Sequence, residues 1–455
     1  MSRTPAPIDA VDLADLADRS PQGIAGVFAR AIRSGELAAG ERLPTVRDVA
    51  AELGVSPATV SAAWQALRRT GVVVSRGRAG TFVSETPRAW LSPRQRGLVG
   101  ASPDSLRMDL SRGTPDPMLL PGLGPALGRV SARAGTGVYQ DEPVLPLLRT
   151  VLEATWPYAA EVITVVDGAT DGISRVLEQC VRLGDRVALE SPGYPPFFDL
   201  VESLGAEIVP VEMDASGLRP ESLRTAMDAR PVALVLQPRA QNPTGISMSP
   251  ERARKLASVL ARRGHQPVPW IVEDDHSGAI STSPDVSLGT YLPGRVVHVR
   301  SFSKSHGPDL RIAAIGGPAE MLDPLVARRM LGPGWTSRMV QTILHDLLTE
   351  ARSMDEVSEA RRQYFGRQRE LVARLAEHGV DLSTPDGINL WLPVHDEKAA
   401  LLHLAAAGIR VAGGTPFFPG ATSTPHIRVT SGLVDPEHAA EVAAALTDAA
   451  VARRQ

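Results

Sequence analysis

The chain has 455 residues, 43% of them hydrophobic and 22% charged, and a net charge of −3. That length suits two or three domains of ordinary soluble composition, and the near-neutral total gives no overall steering toward nucleic acid or membrane, although it can conceal a local basic module. The single cysteine, Cys180, excludes an intramolecular disulfide and a cysteine-rich zinc site. It lies in the apolar helical pattern Ile173-Ser-Arg-Val-Leu-Glu-Gln-Cys180, which marks it as structural rather than nucleophilic. No apolar run approaches the roughly 18 residues of a membrane helix. The N-terminus carries Asp9, Asp12, Asp15 and Asp18 and lacks the basic-then-apolar order of a signal peptide, so a reducing cytoplasm is expected.

From Pro21, Ile24, Val27, Phe28, Ala31 and Ile32 recur at helical spacing. Thr45-Val-Arg-Asp48 has the form of a capping box and predicts a helix to Leu53, stopped by Gly54. Ser56-Pro57 starts another, with a capping hydroxyl and a proline at the first helical position; it carries Val60, Trp64 and Leu67 inward and ends near Gly71. Val72–Val74, a Gly/Arg turn and Thr81–Val83 then predict a hairpin. Two short helices joined by a tight turn, followed by this hairpin, form a winged helix-turn-helix. Residues 20–84 hold eight arginines against four acids, a local +4 hidden in the total, which favours phosphate contacts. The order Leu43-Pro-Thr-Val-Arg-Asp-Val-Ala50, Gly54-Val-Ser-Pro-Ala-Thr-Val60 and Gly80-Thr-Phe-Val83 resembles the GntR-type winged-helix domain. The resemblance implies that Arg47, Ser56, Thr59, Arg76, Arg78 and Thr81 contact DNA. Pro57 departs from the basic residue often found after the serine.

Residues 85–107, rich in Pro, Ser and Arg and without periodicity, read as a linker between a DNA-binding domain over 1–84 and a second domain over 108–455. In that second part strand-like and helical patterns alternate, which predicts an α/β domain with a mainly parallel sheet. Strands are expected at 162–166, 186–189, 207–211, 232–236, 270–273, 296–299 and 311–315. Ligands of such sheets sit beyond the carboxyl ends of the strands. The polar stretches there are Val166-Asp-Gly-Ala-Thr-Asp-Gly172, Glu190-Ser-Pro-Gly-Tyr-Pro195, Gln237-Pro-Arg-Ala-Gln-Asn-Pro-Thr-Gly245 and Trp270-Ile-Val-Glu-Asp-Asp-His276. The first offers a helix N-terminus to a phosphate. The second offers Tyr194 as a stacking ring, and the third offers Asn242 as a donor.

Ser301-Phe-Ser-Lys-Ser-His-Gly-Pro-Asp-Leu-Arg311 follows the apolar run at 296–299. Only three lysines occur in the chain: Lys255, Lys304 and Lys398. A guanidinium cannot form an imine, whereas a lysine amine can. Lys304, beside Ser301 and Ser303 and seven residues before Arg311, suits an imine site with a phosphate pocket. Gly-Ala-Thr, Pro-Gly-Tyr, Asn-Pro-Thr-Gly, Glu-Asp-Asp and Ser-x-Ser-Lys with Arg311, in this order, resemble the fold-type I (class I) aminotransferases over about residues 109–446. The resemblance implies pyridoxal 5'-phosphate (PLP) held as an aldimine on Lys304, with Asp274, or alternatively Asp275, on the pyridine nitrogen. It further implies Asn242 on the ring oxygen, Tyr194 stacked on the ring, and Ala169, Thr170, Ser301, Ser303 and Arg311 on the phosphate. Tyr139 would reach a neighbouring subunit's phosphate, and Arg428 would grip a substrate carboxylate. The chain departs from the family at four places: His276 stands where a tyrosine is usual, Val144 and Ala313 stand where glycines are expected, and Asp171 adds charge near the phosphate turn. These bear on transamination more than on cofactor binding. A small lobe is expected over about 364–455.

A winged helix followed by an aminotransferase-like domain resembles the MocR subgroup of GntR-type transcription regulators. The expected function is a cytoplasmic, homodimeric regulator that binds a double-stranded DNA operator and senses PLP, or a small amine or amino acid, at Lys304. An active aminotransferase carrying a DNA-binding domain is the alternative, and a cofactor-free dimerisation scaffold is a further one. No metal and no membrane are expected.

Overall fold

A computed structural model describes residues 11, 13, 16, 18–69, 71–84, 91–98, 106–133, 138, 140–261, 267–420 and 424–453. The chain divides into two compact units: Met1–Ser92 with Val181–Val187 and Pro196–Ile208, and the remainder.

In the first unit, helix α1 spans Pro21–Ser34, α2 Val46–Leu53 and α3 Pro57–Arg69. Their ends follow the local chemistry. Thr45 Oγ1 accepts from the Asp48 amide at 3.3 Å and donates to the Asp48 carboxylate at 2.6 Å. Gly54 closes α2 at φ 62°, a left-handed conformation that glycine adopts without a Cβ penalty. Ser56 Oγ accepts from the Thr59 amide at 3.1 Å, which leaves α3 with a side-chain N-cap. Ile24, Phe28, Val49, Leu53, Val60, Trp64 and Leu67 form one buried core, with Phe28 edge-on to Trp64 at 4.6 Å. Strands β1 (Val73–Ser75) and β2 (Thr81–Val83) pair antiparallel, Val73 opposite Val83. The expected winged helix-turn-helix is therefore present, element by element.

The segment expected to be an irregular linker is in part helical. Pro93–Leu98 forms helix α4, and Gly97 lies against Pro416, where an added Cβ would sit 3.5 Å from the proline ring. Residues 85–90 and 99–105 of that segment lie outside the described residues.

The second unit contains most of an eight-stranded sheet. Its strands are β3 (Val162–Val166), β4 (Arg186–Ser191), β5 (Glu207–Asp214), β6 (Gly217–Leu218), β7 (Ala233–Leu236), β8 (Trp270–Asp275), β9 (Val296–Ser301) and β10 (Ala313–Gly317), in the order β3-β10-β9-β8-β7-β4-β5-β6. Strands β7, β8 and β9 run parallel, whereas β10 is antiparallel to both β9 and β3. Val165, Val235, Ile271, Val272, Val297 and Ile315 are buried, the near-continuous apolar run of a sheet covered on both faces. One expected strand needs correcting at its start. Arg311 belongs to the loop before β10, in a left-handed conformation (φ 46°), and the strand begins only at Ala313.

A second sheet belongs to the C-terminal lobe. Strands β11 (Leu390–Pro393), β12 (Ala412–Gly413) and β13 (His426–Val429) pair antiparallel in the order β11-β13-β12. Leu371, Leu375, Leu390, Ile427, Val429 and Leu446 pack together beneath it. Met108–Asp109 pairs in parallel with Ile409–Arg410, and Leu110 is buried in the same core, so the segment just after the linker folds with this lobe. Among the described residues no helix is long and apolar enough to cross a membrane.

Candidate ligand site at the strand ends

The acidic end of β8 shows how sheet geometry sorts like residues. Successive strand side chains point to opposite faces, so Glu273 and Asp275 share one side and Asp274 takes the other. On the first side every acid is matched. Glu273 accepts from Ser287 Oγ (2.6 Å), from the Leu288 amide (2.6 Å) and from His298 Nδ1 (2.9 Å). Arg239 grips Asp275 through Nε (3.2 Å) and Nη2 (2.6 Å). Burial opposes ionisation of Asp275, but Arg239 and His298 overcome it and hold the carboxyl far below its ordinary range. His298 stands between the two acids; burial alone would lower its pKa, and the Asp275 carboxylate 3.8 Å from Nε2 together with the hydrogen bond to Glu273 raises it instead.

Asp274 is different. It is 3% exposed, and its Oδ2 accepts from Gln237 Nε2 at 2.8 Å. Its Oδ1 is buried with no hydrogen-bond partner among the described residues. Burial pushes its pKa up to about 7, against the opposing effect of Gln237. Asp274, not Asp275, is thus the acid with an open valence.

Lys304 lies in the loop after β9, and its Nζ donates to the Gly113 carbonyl. Burial, with Arg428 nearby, lowers it to about 8; Asp274 acts the other way. A fraction of the amine is therefore neutral, and so nucleophilic, near neutral pH. Arg428, on the central strand β13, is 2% exposed. Its Nη1 donates to Asn242 Oδ1 at 3.2 Å and its Nη2 to the Ser111 carbonyl, and its guanidinium lies 5.1 Å from the Phe417 ring centre. Among the described residues its Nε has no partner and no acid pairs with it. Asp435, the nearby acid that a local ion pair would use, is 2.6 Å from Arg367 instead. Tyr194 is raised by burial and then by Asp274, which places its hydroxyl within electrostatic reach of that carboxylate.

Ala169 and Thr170 open helix α5 (Ala169–Cys180), so the free amides of its first turn face the loop after β3. Arg311 Nη2 donates to the Asp167 carbonyl at 3.2 Å. Gly168 has φ 105°, and a Cβ there would stand 2.4 Å from Arg311 Nη2; only glycine permits this approach. The register sets Ser301 opposite Ala313 and Ala313 opposite Val166. Ser301, the Arg311 loop and the Asp167–Thr170 turn consequently meet at one edge. Asp171 does stand at that turn, accepting from the Asp167 amide at 3.2 Å through Oδ2, and Arg175 one helical turn on answers its charge at 2.9 Å. Ser301 Oγ accepts from the Ser303 amide at 3.3 Å.

His276 Nε2 lies 2.8 Å from the Ala240 carbonyl. Burial, then Lys304, lowers it to about 4, so the ring is neutral at physiological pH. Tyr139 lies outside the described residues, as does the side chain of Arg78. In the first unit Arg47, Ser56 and Arg76 are exposed, Thr59 and Thr81 are half-buried, and Arg76 lies over the Phe82 ring at 4.8 Å. Sequence reasoning missed Gln237, Arg239, His298 and the carbonyls of Ser111 and Gly113. The first three are visible only through cross-strand register, and the carbonyls carry no residue-type signal at all.

Residues 107–446 match the family model described as aminotransferase class I and II, and residues 22–83 match that of bacterial regulatory proteins, gntR family. The chain is 35% identical over 414 residues to the vitamin B6 salvage pathway transcriptional repressor PtsJ of Salmonella typhimurium, covering 89% of this chain and 93% of that protein. It is 28% identical to the "Probable rhizopine catabolism regulatory protein MocR" of Rhizobium meliloti, over 82% and 79% of the two chains. The chain belongs to the MocR subgroup of GntR-type transcription regulators. Among solved structures, α-aminoadipate aminotransferase LysN of Thermus thermophilus superposes with a TM-score of 0.69 at 22% identity, covering 78% of the regulator and 94% of that chain. The likeness establishes the fold-type I architecture of the second unit.

The raised Asp274 yields a test. Between pH 3.8 and about 7 the folded regulator holds a proton on Asp274 that the unfolded chain has lost. Folding stability contributed by this residue therefore falls as pH rises through that window. Asp274→Asn removes the effect. Urea unfolding of cofactor-free protein should show the variant gaining on wild type between pH 5 and pH 8, by on the order of 3 kcal/mol. A stability difference that does not change with pH would refute the buried open carboxylate.

Proposed function

We propose that this regulator binds PLP at the strand ends of its second unit, and that a carboxylated amine reaching the same site controls its binding to operator DNA. The observation that carries the reading is the pairing of a half-buried amine, Lys304, with a buried carboxylate, Asp274, whose Oδ1 has no partner among the described residues. An orphaned buried oxygen costs free energy unless something completes it. A ring nitrogen carrying a proton would do so. The other residues fit the same group: the free amides at Ala169 and Thr170, with Arg311, Ser301 and Ser303, suit a phosphate, and Tyr194 suits an aromatic ring. When bound, PLP supplies an aldehyde that condenses with a primary amine and a ring that draws electrons from the bond so formed.

Each residue of the chain then has a task. Lys304 presents a partly neutral amine, because burial beside Arg428 disfavours its charged form. Asp274 holds a proton at the ring nitrogen. Asn242 turns its amide NH2 away from Arg428, since the guanidinium can only donate and Asn242 Oδ1 accepts it. Arg428 is a buried cation with no acid paired to it among the described residues, which suits a ligand carboxylate. A second reading, in which PLP itself is the signal, is favoured by the 35% identical relative being a repressor of vitamin B6 salvage. A cytoplasmic homodimer, with Tyr139 reaching the partner's phosphate, completes the proposal. Operator contacts fall to Arg47, Ser56, Thr59, Arg76, Arg78 and Thr81.

Three experiments test it. Borohydride reduction of PLP-loaded protein, followed by peptide mapping, should fix the cofactor on Lys304, and Lys304→Arg should lose the visible absorbance because arginine cannot condense with the aldehyde. Labelling at Lys255 or Lys398 would refute the assignment. Arg428→Ala should keep PLP binding but lose the spectral response to amino acids, while responses to amines lacking a carboxylate change much less. If amino acids never perturb the wild-type spectrum while PLP shifts operator affinity, the second reading holds. Arg47→Ala should weaken DNA binding on all sequences, reduce the salt slope by about one unit and leave the PLP spectrum unchanged. Unaltered binding across a salt series would remove Arg47 from the interface.

A further inference from the structure

Gln237 follows the last residue of β7 and is 4% exposed. Both ends of its side chain are used. Nε2 donates to Asp274 Oδ2 at 2.8 Å, and Oε1 accepts from the Asn242 amide at 2.8 Å. One residue thus touches the groups on two sides of the proposed ring site. Behind them Glu190, a carboxyl that burial pushes up to about 8, accepts from Gln241 Nε2 at 3.2 Å.

Hydrogen-bond chemistry leaves this arrangement no freedom. A backbone N–H can only donate, so the amide oxygen of Gln237 must face Asn242 and the NH2 must face Asp274. The NH2 in turn can only donate, so Oδ2 of Asp274 must accept. Any proton on Asp274 therefore sits on Oδ1, the oxygen without a partner. The same N–H bond favours the ionised form in surroundings where burial disfavours it.

We propose that Gln237 is a positioning residue: it selects Oδ1 as the Asp274 oxygen presented to a ring nitrogen, and it ties that choice to the placement of Asn242. The inference rests on the reading that PLP occupies this site. Its specific content is that Gln237 acts through the ring nitrogen, not through the general shape of the pocket.

Gln237→Glu tests this with little change of shape. The new carboxylate still accepts from the Asn242 amide, but it turns an acceptor toward Asp274. Binding of PLP and of its ring-nitrogen-free analogue, 1-deazapyridoxal phosphate, would be titrated by visible absorbance on full-length wild type and variant, with thermal unfolding as a fold control. The expected result is a loss of about tenfold or more in PLP affinity with a loss of under about twofold for the analogue. Gln237→Leu, which lacks both hydrogen bonds, provides the same comparison if the glutamate variant does not fold. Equal losses for the two ligands would reduce Gln237 to a space-filler and overturn the proposal, as would unchanged PLP affinity. A wild-type protein that binds the analogue but not PLP overturns the positioning role alone, and one that binds neither overturns the proposed function with it.

Discussion

A carboxylate taken out of water must be paired or protonated, and the run Glu273-Asp274-Asp275 meets that demand in two ways on two sides of one strand. Three consecutive acids at the end of a buried strand would repel one another if they shared a space. The two-residue period of β8 separates them. Glu273 and Asp275 turn to His298, Arg239 and Ser287, where each charge is answered within 3.2 Å. Asp274 turns alone to the side of Lys304. The matched pairs on one side make the unmatched acid on the other more tolerable, because the Asp275 charge that raises Asp274 is itself answered by Arg239 and His298.

The same logic extends to the cations. Arg428 is buried and Lys304 half-buried; burial and then Arg428 disfavour the charged form of Lys304, Asp274 favours it, and burial lowers Arg428. Carbonyl oxygens of Gly113 and Ser111 and the face of Phe417 offer partial compensation. Partial compensation leaves a site of positive character at the strand ends, which a ligand carrying phosphate and carboxylate groups would neutralise. The field arises from burial, since in water the same groups would be screened.

What the sequence makes legible is what local chemistry decides. Thr45, Gly54, Ser56 and Pro57 each act within three residues of their own position, so the helix-turn-helix can be read directly, and the structure has it with those caps. The lysine loop is legible because imine chemistry demands a residue that this chain otherwise almost avoids. Features set by register are not legible. Arg311 continues an apolar run and so reads as strand, while its positive φ, needed to bring the guanidinium over Gly168, leaves no mark in the residue pattern. Asp171 reads as a charge beside the phosphate turn, and it is one, bonded to the Asp167 amide; what the residue pattern leaves unread is that the helix brings Arg175 to it at i+4. Gln237 is of a residue type that raises no expectation; its weight comes from β7 and β8 lying side by side.

The departure at His276 gains a meaning from the same hydrogen-bond rules. Its Nε2 faces the Ala240 carbonyl, which can only accept, so Nε2 carries the proton of the neutral ring and Nδ1 is left as an acceptor. A tyrosine hydroxyl at this position could donate to a ligand oxygen. His276 could do so through Nδ1 only after gaining a proton, which burial and Lys304 oppose. The donor at that side of the site is then the Asn242 amide, and its orientation is set by Arg428 through Oδ1. A group that draws Arg428 toward itself also releases Asn242. The cation suited to a carboxylate and the amide suited to a ring oxygen are therefore not independent, and the replacement of a phenol by an imidazole makes that coupling matter more.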